Sequence, residues 1–167
     1  MLKKYGLLLV VSGTVVLLDQ VTKILVRSLL QFGGIWLPFP SLDGLFQIIH
    51  WKNTGMFMGV LEGFGILFSL LAIAVACAGI YIFPRVPEED WPLRLGISLQ
   101  LGGVIGNLLD RLFVGYVTDF ISIGTLPITN LADLALYLGL AILALSVLLK
   151  PERKKPQAGA TRQDPQI

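Results

Sequence analysis

Apolar residues along this chain gather into four long runs, separated by polar or glycine- and proline-rich stretches. The first follows Lys3 and Lys4, is uncharged from Tyr5 to Leu18, and continues to Leu30. The second, residues 64–83, carries no charge at all. The third extends from about Pro92 to Leu112 and the fourth from Leu131 to Leu149. A helix needs about 20 apolar residues to cross about 30 Å of hydrocarbon, so these runs predict transmembrane helices over about 6–30, 64–83, 92–112 and 131–149. Residues 31–63 differ in kind. Gly33, Gly34, Pro38, Pro40 and Gly44 interrupt helical periodicity, and GLFQIIHWK, Gly44 to Lys52, is rich in strand formers. The expected fold class is an all-α integral membrane protein, with four transmembrane helices and a small extracytoplasmic β-rich subdomain between helices 1 and 2. After Gly115, VTDFISI reads as an extended piece with Asp119 on the side of Val117, Ile121 and Ile123. Pro127 then breaks the chain and Asn130 opens the fourth helix.

Composition agrees with a membrane protein. Of 167 residues, 54% are hydrophobic and 14% charged, against roughly 25% charged in soluble domains. Mean hydropathy is +0.77. The start resembles a secretory signal peptide, with a basic beginning and an apolar run. The run continues to Leu30 without a small-residue cleavage site, so a first membrane span is expected instead. One membrane-embedded domain over 1–150 is expected, with 151–167 as a basic, disordered cytoplasmic tail.

The positions of the basic residues set the expected topology. Lys3, Lys4, Arg85, Arg94, Lys150, Arg153, Lys154, Lys155 and Arg162 lie on one side, and only Lys23, Arg27, Lys52 and Arg111 toward the other. Both termini are therefore expected in the cytoplasm. Trp36, Phe39, Phe46 and Trp51 suit an outer membrane–water interface. Cys77 lies in an apolar run and reads as a small packing residue. His50 is the single histidine and reads as an interfacial polar group; with so few such ligands no metal site and no cofactor is expected. No basic surface with interleaved aromatics points to nucleic acid.

The costly residues are the ionisable ones at the membrane. Asp19, Lys23 and Arg27 are spaced i, i+4, i+8 and share one helix face. Asn107 and Asp110 lie one turn apart on the face of Gly103, and Arg111 follows. Asn130 is placed to cap the fourth helix with Asp133 at its third position, a sufficient structural reason for Asp133 taken alone. Asp119 alone has a reading as a turn residue. Between them Gly124 and Pro127 let the chain double back, which brings Asp119 toward Asp133. Two carboxylates about 3–5 Å apart share a proton. One then deprotonates a water, and the other polarises a carbonyl and protonates the leaving amine. Other hydrolase chemistries lack support: there is no HExxH and no GxSxG. A Ser–Lys dyad of Lys23 with Ser12 or Ser28 is disfavoured, because Asp19 keeps Lys23 protonated.

DQVTK (Asp19 to Lys23), NTG (Asn53 to Gly55), GNLLDR (Gly106 to Arg111), VTDF (Val117 to Phe120) and NLAD (Asn130 to Asp133) together resemble the five sequence blocks of bacterial lipoprotein signal peptidase, signal peptidase II. They occur in the family's order and cover about residues 1–150. The resemblance implies an intramembrane aspartic endopeptidase of the inner membrane. It cleaves prolipoproteins on the N-terminal side of a diacylglyceryl-modified cysteine, with its site near the extracytoplasmic face. It implies Asp119 and Asp133 as the catalytic pair. Asp19, Lys23, Asn53, Gly55, Asn107, Asp110, Arg111, Asn130 and Ala132 are implied in support or substrate binding, Arg111 by holding Asp110 or meeting a lipid phosphate. It implies membrane lipid and globomycin-type inhibitors as partners, and a β-cradle and half-helix from residues 31–63; a monomer is expected. Two blocks continue differently from the family's pattern: Met56 and Met58 follow NTG where small residues are usual, and Leu134 follows NLAD where serine is usual. Both bear on fine specificity.

Two other classes fit membrane carboxylates. A small proton-coupled transporter or channel subunit would use Asp19, Asp110 and Asp133 as a relay, but a relay needs charges spread through the bilayer. Asp43, Glu62, Asp110, Asp119 and Asp133 instead fall at or beyond helix ends. A scaffold subunit without chemistry would not need Asp119 on an apolar strand face.

Overall fold

The computed structural model describes residues 2–55 and 65–149. Helix α1, Leu2–Leu29, is followed by strands β1, Ile35–Trp36, and β2, Phe46–Asn53. Helix α2, Gly65–Ile82, ends in a 3-10 turn at Phe83–Arg85. Helix α3, Trp91–Phe113, leads into strand β3, Val117–Ile123, and then helix α4, Leu131–Leu148. Met56, Met58 and the 151–167 tail lie outside the described residues. So do residues 56–63 of the 31–63 segment expected to hold a half-helix; its described part contains the short 3-10 turn Pro40–Leu42.

Three helices, Lys4–Leu29, Gly65–Arg85 and Leu131–Leu148, are long and apolar enough to cross a membrane. Helix α2 has no fully buried residue; the stripe of Phe68, Ala72, Ala76 and Gly79 is half-buried and most of the rest is exposed, and an uncharged, apolar surface of this kind is suited to lipid. Cys77 is exposed on this helix rather than packed inside, so its expected packing role is corrected. Helix α3 is long enough at 23 residues, yet it carries Arg94, Gln100, Asn107, Asp110 and Arg111. Its place explains the polarity: α3 packs against each of the other three helices, and its polar groups find partners there.

Glycine permits that packing. A methyl group on Gly102 would lie 2.7 Å from Val15 Cβ of α1, and one on Gly106 2.7 Å from Asp19 Oδ2. On the neighbouring face, a methyl on Gly103 would sit 2.5 Å from the backbone oxygen of Ala132 in α4. Further along, Gly96 and Gly139 face each other across the same pair of helices. Close backbone approach of this kind is the usual solution where helices associate without a hydrophobic drive from water.

The three strands form one antiparallel sheet in the order β1-β2-β3. The sequence pattern places the β-rich part between helices 1 and 2. The observed sheet takes its third strand from the α3–α4 connection, so it ties both connections together. Strand β3 is buried on both faces, from Val117 to Phe120. One-sided alternation therefore does not describe it. His50 is buried rather than interfacial. Its Nδ1 lies 2.8 Å from the Leu30 carbonyl oxygen, and its backbone bonds with Gly33 and Gly34, pinning β2 to the end of α1.

The two glycine environments predict different outcomes. Gly103→Ala forces its new methyl against backbone and should destabilise by about 1–3 kcal/mol, whereas Gly79→Ala meets only Ile97 Cγ2 at 3.8 Å and should be close to neutral. Thermal unfolding of the two variants in detergent micelles measures the difference.

Candidate active site

The site begins with a buried ion cluster between α1 and α3. Lys23 Nζ lies 2.9 Å from Asp19 Oδ2 and 3.4 Å from Asp110 Oδ2, and all three side chains are fully buried. The same ammonium donates to Asn107 Oδ1 at 2.9 Å. One lysine thus meets two carboxylates and an amide, which uses its three N–H donors. Asp19 goes further and accepts from the Ala132 backbone N–H at 2.9 Å. That N–H belongs to the first turn of α4, where it has no partner within the helix. Asp19 therefore ties α1 to the start of α4, and Ala132, fully buried, supplies the close packing.

Asp110 has other partners besides. It accepts from Arg27 at 3.2 Å and from the Thr118 backbone N–H at 2.8 Å. Arg27 also donates to Thr118 Oγ1 at 2.8 Å. Arg27 thus turns inward rather than reaching for the membrane interface. Asp110 anchors β3 at its second residue. Its expected neighbour Arg111 does not hold it. Successive residues point about 100° apart on a helix and do not face each other. The Arg111 guanidinium instead lies 5.9 Å from the Phe68 ring centroid on α2. It lines a cavity of about 530 Å³ with Thr54, Ser69 and Gly115.

Two asparagines carry the cluster outward to the carboxylate pair. Asn107, held through its oxygen by Lys23, donates to Asp133 Oδ1 at 2.7 Å. Asn130 donates to Asp119 Oδ1 at 2.6 Å and to Asn107 Oδ1 at 3.2 Å. Its own oxygen accepts from the Asp133 backbone N–H at 2.8 Å, capping α4 as the sequence pattern predicts. The carboxylate of Asp133 takes no part in the cap; Thr129 Oγ1 reaches its other oxygen at 3.2 Å. Asp119 and Asp133 are consequently joined through one pair of amides, and Asp119 sits in mid-strand rather than in a turn.

The last asparagine arrives through a fault in the sheet. Ile48 pairs with Ile121, but Trp51 pairs with Asp119 and Asn53 with Val117, so β2 carries one extra residue between them. Without that bulge Asn53 would stand opposite Tyr116, on the other face from Asp119. The bulge shifts the register by one and turns Asn53 to the face of Asp119, where Nδ2 donates to Oδ2 at 2.8 Å. The Gly55 backbone N–H donates to Asn53 Oδ1 at 3.1 Å and fixes which way the amide points.

Three contributors were not singled out by the sequence patterns. Gln20 bridges Asp19 to the Gly106 carbonyl at 3.1 and 3.0 Å. Thr118 and Thr129 have the contacts given above. Gln20 and Thr118 lie inside the DQVTK and VTDF blocks, and Thr129 precedes NLAD, so position within a block was the available signal.

Burial is the first cause acting on Asp119, and the nearby Asp133 charge is the second. Together they outweigh the hydrogen bonds from Asn53 and Asn130 and raise the carboxyl from the ordinary 3.8 to about 7. The folded chain therefore keeps a proton on Asp119 where the unfolded chain has lost it. The stability this contributes is full below about pH 4 and is lost as pH rises through about 7. Unfolding midpoints taken between pH 4 and 8 should show this decline, and Asp119→Asn should flatten it. Removing the central cation has a larger effect. Lys23→Met leaves the buried Asp19 carboxylate without an ion-pair partner and Asp110 with Arg27 alone, and should cost about 3–5 kcal/mol, read from denaturation of the detergent-solubilised chain.

A family profile described as Signal peptidase (SPase) II matches residues 11–149. The lipoprotein signal peptidase of Halalkalibacterium halodurans is 33% identical over 90% of this chain and 97% of its own. That of Geobacillus kaustophilus is 39% identical over 80% of this chain and 87% of its own. A solved bacterial membrane enzyme, determined by the in meso method, shares the fold with a TM-score of 0.82 and 28% identity, over 91% of this chain and 93% of its own. The profile spans most of the chain and both relatives are covered almost from end to end, so the buried ion cluster, the asparagines and the carboxylate pair stand in a chain that belongs to the signal peptidase II family, a family of peptidases.

Proposed function

We propose that this signal peptidase II removes signal peptides from prolipoproteins with Asp119 and Asp133 as its catalytic dyad. The observation that carries the dyad is their shared amide bridge: Asn130 and Asn107 hold one oxygen of each carboxylate, and Asp119 is raised to about 7 in part by the charge of Asp133. One proton is shared by the pair. The ionised member deprotonates a water, which attacks the scissile carbonyl as the protonated member donates its hydrogen bond to the carbonyl oxygen. The dyad then returns a proton to the leaving amine. Asn53, Asn107 and Asn130 hold the carboxylates in place. Asp19, Lys23 and Asp110 hold the asparagines and the strand. Neither carboxylate needs a metal for this chemistry.

The substrate is a prolipoprotein cut before its diacylglyceryl-modified cysteine. The reading includes four spans, with α3 as the central one, and both termini in the cytoplasm of a bacterial inner membrane. The sheet and the dyad then lie near the extracytoplasmic face. The distribution of lysine and arginine supports this orientation. It also resolves the placement of the carboxylates: the dyad reaches water while the acyl chains stay in membrane lipid. The cavity beside Arg111 and Thr54 is the approach to the dyad, and cyclic peptides of the globomycin type occupy the same approach. The working unit is a monomer, with residues 1–150 as one membrane-embedded domain and 151–167 as a disordered tail. The relay reading is weaker, because Asp19, Asp110 and Lys23 satisfy one another within one cluster and do not form a series across the bilayer.

Asp119→Asn and Asp133→Asn should each reduce cleavage of a diacylglyceryl-modified prolipoprotein by more than about 1,000-fold, as loss of a unit's essential member does. The fold should persist, because the amide keeps the shape of the side chain and one accepting oxygen, so that one of the two hydrogen bonds each carboxylate accepts is retained. Gel-shift assay of purified variants measures the loss, and turnover near the wild-type rate by either one rules out the dyad.

A further inference from the structure

At the end of the bundle away from the dyad, a small cavity of about 190 Å³ is lined by Lys4, Arg85, Arg94 and Glu88 together with the Pro84–Pro87 backbone turn. Lys4 precedes Asp19 by fifteen residues of α1, about 22 Å along the helix. Arg94 is separated from Asp110 by a similar length of α3. The cavity is therefore a separate place from the site above.

Arg94 is the unusual member. Its side chain is buried, with only 7% of the residue exposed. It donates to the Lys4 carbonyl oxygen at 2.6 Å and stacks 4.5 Å from the Phe83 ring centroid. Among the described residues it has no ion pair with a carboxylate; the ion pairs there all belong to Lys23 and Arg27. A buried guanidinium ordinarily has an anionic partner, because desolvating an unpaired charge is costly. The surroundings add to the charge. Arg94 lies in the first turn of α3, the positive end of the helix dipole. Lys4 and Arg85 are exposed cations on the same cavity, and among the described residues Glu88 is the one carboxylate lining it, so that the described lining carries a net positive charge.

The position selects the source of the missing anion. The cavity lies where α1 begins and where α2 ends in its 3-10 turn. Exposed Tyr81 and Trp91 flank that level, as aromatic residues do at a membrane–water boundary. Basic pockets between helix ends take phospholipid head groups. We propose that Lys4, Arg85 and Arg94 form a site for the phosphate group of an anionic phospholipid, in the leaflet opposite the dyad. The lipid's acyl chains lie along the exposed apolar faces of the adjoining helices, and Arg94 supplies the inner, desolvated donor.

The test uses the full chain in non-ionic detergent micelles, with its unfolding midpoint followed as phosphatidylglycerol, phosphatidylcholine or inorganic phosphate is added. Phosphatidylglycerol should raise the midpoint saturably; phosphatidylcholine and inorganic phosphate should not. Arg94→Gln should abolish the rise. Because Arg94 is buried, Lys4→Gln with Arg85→Gln serves as a second variant at exposed positions. It should fold normally and bind phosphatidylglycerol about 25-fold more weakly, about fivefold for each charge removed near a membrane surface. An equal response of wild type and double variant overturns the site, as does an equal response to phosphatidylcholine. A saturable rise with inorganic phosphate alone, lost in the variants, overturns the lipid as its occupant.

Discussion

The ammonium of Lys23 is the interaction on which the rest depends. Two carboxylates, Asp19 and Asp110, and the oxygen of Asn107 converge on it in a fully buried place. None of the three anionic or polar groups would be tolerable there without a cation. Each of them also reaches beyond the lysine. Asp19 holds the first turn of α4, Asp110 holds the start of β3, and Asn107 holds Asp133. The two elements that carry the carboxylate pair are thus fixed by the same charge. The cluster specifies geometry more than it adds stability, since a buried ion pair contributes little beyond an apolar replacement of equal shape.

Such a cluster requires that the helices be close enough for short side chains to reach across. The glycines of α3 provide this, with Gly102 and Gly106 against α1 and Gly103 against α4. The site lies at the crossing where these faces meet. This also accounts for the mixed character of α3: a helix surrounded by three others can carry polar residues that a lipid-facing helix cannot.

Much of this was legible in the chain itself. The apolar runs locate all four helices to within a few residues. The spacing of Asp19, Lys23 and Arg27 announces a shared face, and Asn130 announces its cap. What was hidden is pairing between elements distant in sequence. Asp110 reads naturally beside Arg111, yet it binds Lys23 and Arg27, more than 80 residues earlier; helix geometry alone argues against the adjacent pair. The third strand was visible as an extended piece but not as a partner of β2, because long-range register depends on tertiary contacts. Burial of β3 on both faces removes the alternation that would have marked its orientation.

The extra residue in β2 makes the reach of Asn53 a matter of parity. A strand presents its side chains alternately, so gaining or losing one residue between Ile48 and Asn53 exchanges Asn53 for a neighbour at the face of Asp119, whereas a change of two restores it. The clasp that Gly33, Gly34 and His50 make at the end of α1 absorbs differences in loop length before they reach the sheet. The segment between β1 and β2 is thereby free to vary in length and composition, while the few positions after it behave as a reading frame written in backbone geometry.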